Sequence, residues 1–191
     1  MSEEKKKEFP QDPSLNERLL KTRSVMLTGE ISKESADQVM RNLLVLDSES
    51  SDPITMYINS PGGDVDAGFA IYDMVRFISS PVIMIGAGLV ASAASLVLLA
   101  VPKERRFGME NSTYLIHQPL SSMKGVASDI MIHAQNIERL RGKLDRIIAD
   151  ACSKSVDDVR ADTERDHWLY SSEAVEYGLI SRIIKSRTEI M

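Results

Sequence analysis

Apolar residues along this chain fall into two alternating patterns: short continuous runs, and longer stretches in which they recur at helical spacing. The runs are Val25-Met26-Leu27, Thr55-Met56-Tyr57-Ile58, Val82-Ile83-Met84-Ile85, Thr113-Tyr114-Leu115-Ile116 and Ile180–Ile184. Their length, their β-branched content and the turn residues around them predict strands. Between them lie amphipathic segments. The first predicted helix follows Ser32, an N-cap residue type, and gathers Ala36, Val39, Met40, Leu43 and Leu44 on one face. A second follows Pro61-Gly62-Gly63, with Ala67, Ala70, Ile71, Met74, Val75 and Ile78 on its apolar face. A third, Ala91–Ala100, is rich in small residues. The fourth and longest spans 126–151, where Ile130, Ala134, Ile137, Leu144, Ile148 and Ala151 recur with a period of about 3.5. A short helix over Ser172–Tyr177 stops at Gly178, a residue type that ends helices. Strands alternating with helices require crossover connections, so the expected class is α/β with a largely parallel sheet. Residues 1–15 are polar and carry Pro10 and Pro13, which predicts a flexible arm ahead of a single domain over 16–191.

Composition narrows the function classes. Hydrophobic residues make up 43% and charged residues 27% of the 191, the balance of a globular domain with one substantial core. A net charge of −5 gives no electrostatic footprint for nucleic acid or anionic lipid. The segment Pro81–Val101 has no charge and is long enough to cross a bilayer. Gly86 and Gly88 divide it, however, which predicts a strand followed by a buried helix instead of a span. The single cysteine, Cys152, excludes an intrachain disulfide and fits a reducing compartment. Met1–Glu8 has no apolar stretch behind its charges, unlike a secretory signal, so a cytoplasmic location is expected. Met131 and Ile132 lie off the stripe of the long helix, an apolar excess that either a partner subunit or a neighbouring loop would cover.

Three kinds of residue carry potential chemistry. His117 ends a strand pattern just before Gln118-Pro119, and strand ends in parallel α/β sheets are where ligand sites form. His133 sits among polar neighbours on the long helix, and His167 in the charged stretch 164–168; surface or packing roles account for both. Gly62-Gly63 opens a helix after a strand, where unpaired backbone N–H groups can donate to a phosphate or an oxyanion, or simply make a tight turn. Ser92 and Ser95 both lie at a predicted strand-to-helix junction, Ala91-Ser92-Ala93-Ala94-Ser95. The G-x-S-x-G elbow is absent, and local chemistry does not separate the two serines.

Together, these segments resemble the Clp protease proteolytic subunit family, ClpP, from about Leu19 to Ile184. The resemblance is carried by Glu17-Arg18-Leu19-Leu20-Lys21, Tyr57-Ile58-Asn59-Ser60-Pro61-Gly62-Gly63, Ala67-Gly68 with Ala70-Ile71-Tyr72-Asp73, and Ala91-Ser92. It continues through Ile116-His117-Gln118-Pro119-Leu120, Asp162-Thr163-Glu164-Arg165-Asp166 and Glu176-Tyr177-Gly178-Leu179-Ile180. It implies a ClpP/crotonase-like α/β fold with a protruding handle at about 118–151, assembled into two stacked seven-membered rings. It also implies an ATP-independent serine endopeptidase, without metal or cofactor, that degrades unfolded polypeptides fed by an AAA+ unfoldase. Ser92 would be the nucleophile, His117 the base and Asp166 the orienting acid. The N–H groups of Gly63 and Ala93 would form the oxyanion hole, and Glu164 and Arg165 would make inter-ring contacts.

The chain also departs from the family pattern. Around the nucleophile it reads Gly88-Leu89-Val90-Ala91-Ser92-Ala93-Ala94-Ser95, Ser121-Ser122 replaces a glycine pair, and the 1–15 arm lacks the usual apolar sequence. These differences imply a divergent paralogue. The alternative expectation is a non-catalytic or conditionally active ring subunit that regulates a catalytic relative.

Overall fold

The computed structural model describes residues 13–190. The predicted arm falls mostly on residues 1–12, outside the described residues. Helix α1, Pro13–Lys21, begins at a proline, which is tolerated in a first helical turn because its missing N–H has no partner there. The other elements in chain order are β1 (Ser24–Thr28), α2 (Lys33–Glu49), β2 (Ile54–Ser60), α3 (Val65–Phe77), β3 (Val82–Ala91), α4 (Ala93–Leu98), β4 (Arg106–Met109), β5 (Thr113–Ile116), α5 (Ala127–Cys152), α6 (Val156–Asp162), β6 (His167–Tyr170), α7 (Ser171–Tyr177) and β7 (Arg182–Ile184).

The strands form one seven-stranded sheet with the path β1-β2-β3-β4-β7. All pairs on that path are parallel. Strand β3 has different neighbours along its length. Met84–Gly86 pairs with β4, whereas Leu89–Ala91 pairs with β5. Between them Gly88 takes φ +77, a backbone conformation that L side chains resist, and the strand bends there. Gly88 therefore bends the apolar run without breaking it, while Gly86 stays in regular pairing and leaves room for Tyr114. The strand runs on to Ala91, and the helix that follows is shorter than predicted. Among the described residues no helix is long and apolar enough to cross a membrane.

Strands β4 and β6 were not among the predicted runs. β4 begins with Arg106 and contains Gly108, and β6 begins with His167 after a charged stretch, so neither has the expected pattern. Tertiary context makes them strands. Arg106 is 1% exposed, with one guanidinium N–H donating to Ala151 O, and β6 closes antiparallel on β5.

Helix α2 starts at Ser32 in a reciprocal cap with Ser35, and it buries Ala36, Val39, Leu43 and Leu46. Leu44, placed on that face by its spacing, is exposed instead. Helix α3 buries Ala67, Ile71 and Val75, and α4 is buried throughout. Helix α7 ends at Gly178 in the left-handed conformation. In α5 only Asp145, Ile148, Ala149 and Cys152 are buried, all in its second half. Its first half, with Ile130, Met131 and Ile132, is exposed, as is the irregular segment 120–126 before it.

Candidate active site

Strand pairing brings three distant side chains together. The register Ala91↔Leu115 puts Ser92, one residue past β3, beside the end of β5, and Ser92 N–H donates to Leu115 O at 2.9 Å. The antiparallel register Ile116↔His167 sets His117, the residue just past β5, opposite Asp166. His117 Nε2 lies 2.8 Å from Ser92 Oγ, and His117 Nδ1 lies 3.0 Å from Asp166 Oδ1. When Nδ1–H donates to the carboxylate, Nε2 is left as the acceptor for the serine hydroxyl. The imidazole is sheltered, with its side chain 14% exposed, while the Asp166 side chain is 60% exposed in the single chain.

Backbone geometry separates the two serines. Ser92 has φ +56 and ψ −122, outside the regions comfortable for a residue with a Cβ. Such strain costs about 1–3 kcal/mol and persists only where the surroundings enforce it. Here β3, β5 and the start of α4 all fix the turn. The G-x-S-x-G sequence is missing, yet the strained strand-to-helix elbow is present. Ser95 lies one turn into α4, is 2% exposed, and is placed to donate to Val90 O and Leu115 O at 3.0 and 2.9 Å. Its hydroxyl holds backbone together and is unavailable for attack.

The glycine pair supplies the opposite wall. Gly62 has φ +89, and a Cβ there would meet Ala91 O at 2.6 Å and Ser92 Cβ at 2.7 Å, so only glycine fits against the elbow. Ile31 N–H donates to Gly62 O and Asp64 N–H donates to Ile31 O, both at 2.8 Å, which ties the loop on either side of Gly63. The N–H groups of Gly63 and Ala93 donate to no protein acceptor among the described residues. They border the same elbow. Next to Ser92 and His117 opens an apolar pocket lined by Val65, Leu96, Ile116, Pro119, Leu144 and Ile148.

A brace not foreseen from the sequence lies behind His117. Gln118 N–H donates to Thr163 O at 2.8 Å, and its side-chain amide donates to Glu164 O at 2.7 Å. The residue after the histidine thus grips the turn that carries Asp166. Asn59 buttresses the elbow from β2 by accepting Leu89 N–H at 3.1 Å. Both lie in the segments that carry the family resemblance, but nothing in their spacing reveals the contacts.

The other candidates lie elsewhere. Glu164 pairs within the chain with Arg141 at 2.6 Å, and that hydrogen bond holds its carboxyl below the usual glutamate range. Arg165 is exposed. His133 Nε2 meets Ser121 Oγ at 2.7 Å, and the His167 ring packs against Tyr177. Cys152 is buried, and burial pushes its thiol up, away from the reactive thiolate.

Known proteins resemble this chain in both sequence and fold. The family model described as Clp protease matches residues 6–187. The ATP-dependent Clp protease proteolytic subunit 2 of Treponema denticola is 55% identical over 190 residues, covering 99% of this chain and 95% of that protein. The corresponding subunit 2 of Pseudomonas aeruginosa is 47% identical over 176 residues, covering 92% and 88%. Among solved structures, a ClpP1 mutant from Listeria monocytogenes superposes with a TM-score of 0.87 at 43% identity, covering 93% of this chain and 99% of that one. A match of this extent in both sequence and fold means that the chain belongs to the Clp protease family, among its serine endopeptidase subunits.

Proposed function

We propose that this chain is the ATP-independent peptidase core of a Clp-type protease and cleaves unfolded polypeptides by Ser-His-Asp acyl-enzyme chemistry. The observation that supports this best is the unbroken chain Asp166 Oδ1–His117 Nδ1 and His117 Nε2–Ser92 Oγ, at 3.0 and 2.8 Å. Ser92 Oγ attacks the scissile carbonyl while His117 Nε2 takes its proton. Asp166 holds the imidazole in the required tautomer and steadies the imidazolium that forms. The same proton then passes to the leaving amine, and water repeats the sequence on the acyl-enzyme. The N–H groups of Gly63 and Ala93 stabilise the oxyanion, each contributing about 3–4 kcal/mol to the barrier reduction. The apolar pocket beside Ser92 receives an apolar side chain next to the scissile bond.

Membership of the family supports the following setting. The chain self-associates into heptameric rings stacked as a tetradecamer, with Glu164 and Arg165 at the contact between rings. The exposed apolar half of α5 is covered there. An AAA+ unfoldase delivers substrates, in the cytoplasm. Several relatives carry the number 2 or 3, which favours a second reading: a subunit that becomes fully active only in a mixed ring with a paralogue.

Labelling with a fluorophosphonate, followed by mass spectrometry, tests both. Phosphonylation of Ser92 that disappears in His117→Ala is the expected result. An adduct that forms only after mixing with a paralogue selects the second reading, and an adduct on Ser95 alone would overturn both.

A further inference from the structure

The mechanism above makes no use of Asp145, although this carboxylate is 1% exposed. It lies on the buried side of α5, facing α6 and the turn that follows α6. Its Oδ1 lies 3.2 Å from Thr163 Oγ1, whose single proton it shares with Val159 O at 2.9 Å. Its Oδ2 makes no hydrogen bond and sits 3.9 Å from Arg141 Nε and 3.7 Å from Arg160 Nη1. Both arginines have further duties. Arg141 Nη2 donates to Glu164 at 2.6 Å and to Arg160 O at 3.3 Å, and Arg160 pairs with Glu138. The buried carboxylate is thus the centre of a cluster that spans α5, α6 and residues 163–164.

That cluster ends two residues before Asp166. Among the described residues, the only hydrogen-bond partner of the Asp166 side chain is His117, and the carboxylate is largely exposed. Its place is therefore set by the turn that carries it. The turn is clamped from two sides, by Gln118 through the carbonyls of Thr163 and Glu164, and by α5 through the side chains of the same two residues. A buried charge is costly to keep unless partners compensate it. Here the compensating partners, Thr163, Arg141 and Arg160, connect α5 to α6 and to the turn that carries Asp166.

We propose that Asp145 is a positioning residue for the His117–Asp166 pair, acting through Thr163 and Arg141. The proposal rests on the Ser-His-Asp reading of the site. Asp145 touches no substrate, so its influence falls on the orientation of the imidazole and therefore on turnover. Substrate binding in the apolar pocket is left unaltered.

The test compares the assembled wild-type protein with Asp145→Asn, Thr163→Val and the double variant. For each, kcat and KM are measured on a fluorogenic peptide, together with the rate of Ser92 phosphonylation and the melting temperature. Asp145→Asn is expected to lower kcat on the order of ten-fold or more with KM unchanged, because small displacements of catalytic groups weigh heavily on rate. The double variant should be no slower than the slower single variant, since both changes cut one linkage. A folded Asp145→Asn protein with wild-type kcat, or one with only KM raised, overturns the proposal. Should Asp145→Asn fail to assemble, Thr163→Val decides, and wild-type kcat in that variant also overturns it. Wild-type protein that is never phosphonylated at Ser92 would instead remove the serine reading, and is recognised before any variant is compared.

Discussion

Ser92 and Ser95 are three residues apart in a run of small side chains, and their fates diverge because of one backbone torsion. Ser92 is forced to φ +56 at the end of a strand, which turns its hydroxyl out toward His117. Ser95 is in regular helix and turns inward onto two carbonyls. Replacing Ser95 with alanine should therefore cost about 1 kcal/mol of stability while leaving phosphonylation at Ser92 intact. Denaturant unfolding and adduct mapping check the two halves of that expectation; loss of the Ser92 adduct would contradict it. Local sequence chemistry left these residues tied, because no residue type in Ala91–Ser95 announces a strained turn. Only the spacing shared with the family chose between them. Gln118 was hidden for a similar reason: its hydrogen bonds join positions 45 and 46 residues apart, as Gln118 N–H to Thr163 O and Gln118 Nε2 to Glu164 O.

The elements legible in advance were those whose burial follows a period. Strands β1, β2 and β5 and helices α2, α3, α5 and α7 place their apolar residues at the spacing that their own geometry requires. Strands β4 and β6 become strands through partners elsewhere in the chain, so their local pattern carried no signal. The connection of α2 to the turn before β3 gives a test at this scale. Asp47, in the last turn of α2, accepts Ser80 N–H at 2.7 Å, and that bond holds its carboxyl below the ordinary aspartate value of 3.8. An acid near a helix C-terminus is disfavoured by the helix dipole, and the Ser80 bond acts against this. A depressed folded-state value means stabilisation that is complete above the unfolded value and is lost as pH falls through the folded one. Asp47→Asn should thus be less stable than the parent at neutral pH, with the gap narrowing as pH falls below the ordinary aspartate value of 3.8. Urea midpoints at neutral pH and below that value measure it, and a gap of the same size at both would refute the assignment.

At the scale of the whole molecule, one end of α5 is anchored and the other is bare. Its second half packs against α4 and α6, while Ile130, Met131 and Ile132 are 45%, 60% and 65% exposed. Sequence periodicity identified the excess apolar surface, but a single chain does not reveal what covers it. If these side chains close the contact between rings, Ile132→Glu should leave each protomer folded while shifting the assembly to smaller species in sedimentation velocity. Unchanged sedimentation would place the contact elsewhere.

The order in which the proposed triad residues occur along the chain bears on biosynthesis. Ser92 and His117 lie on β3 and β5 or at their ends, but Asp166 arrives only just before β6, after the whole of α5 and α6. A polypeptide still attached to the ribosome, with residues 163–170 not yet released, holds a serine and a histidine but no carboxylate to fix the imidazole. In serine proteases, a change that disables that carboxylate while leaving the geometry intact lowers turnover by about four orders of magnitude. On the proposed mechanism, a nascent copy therefore lacks most of its catalytic power until its synthesis is nearly complete.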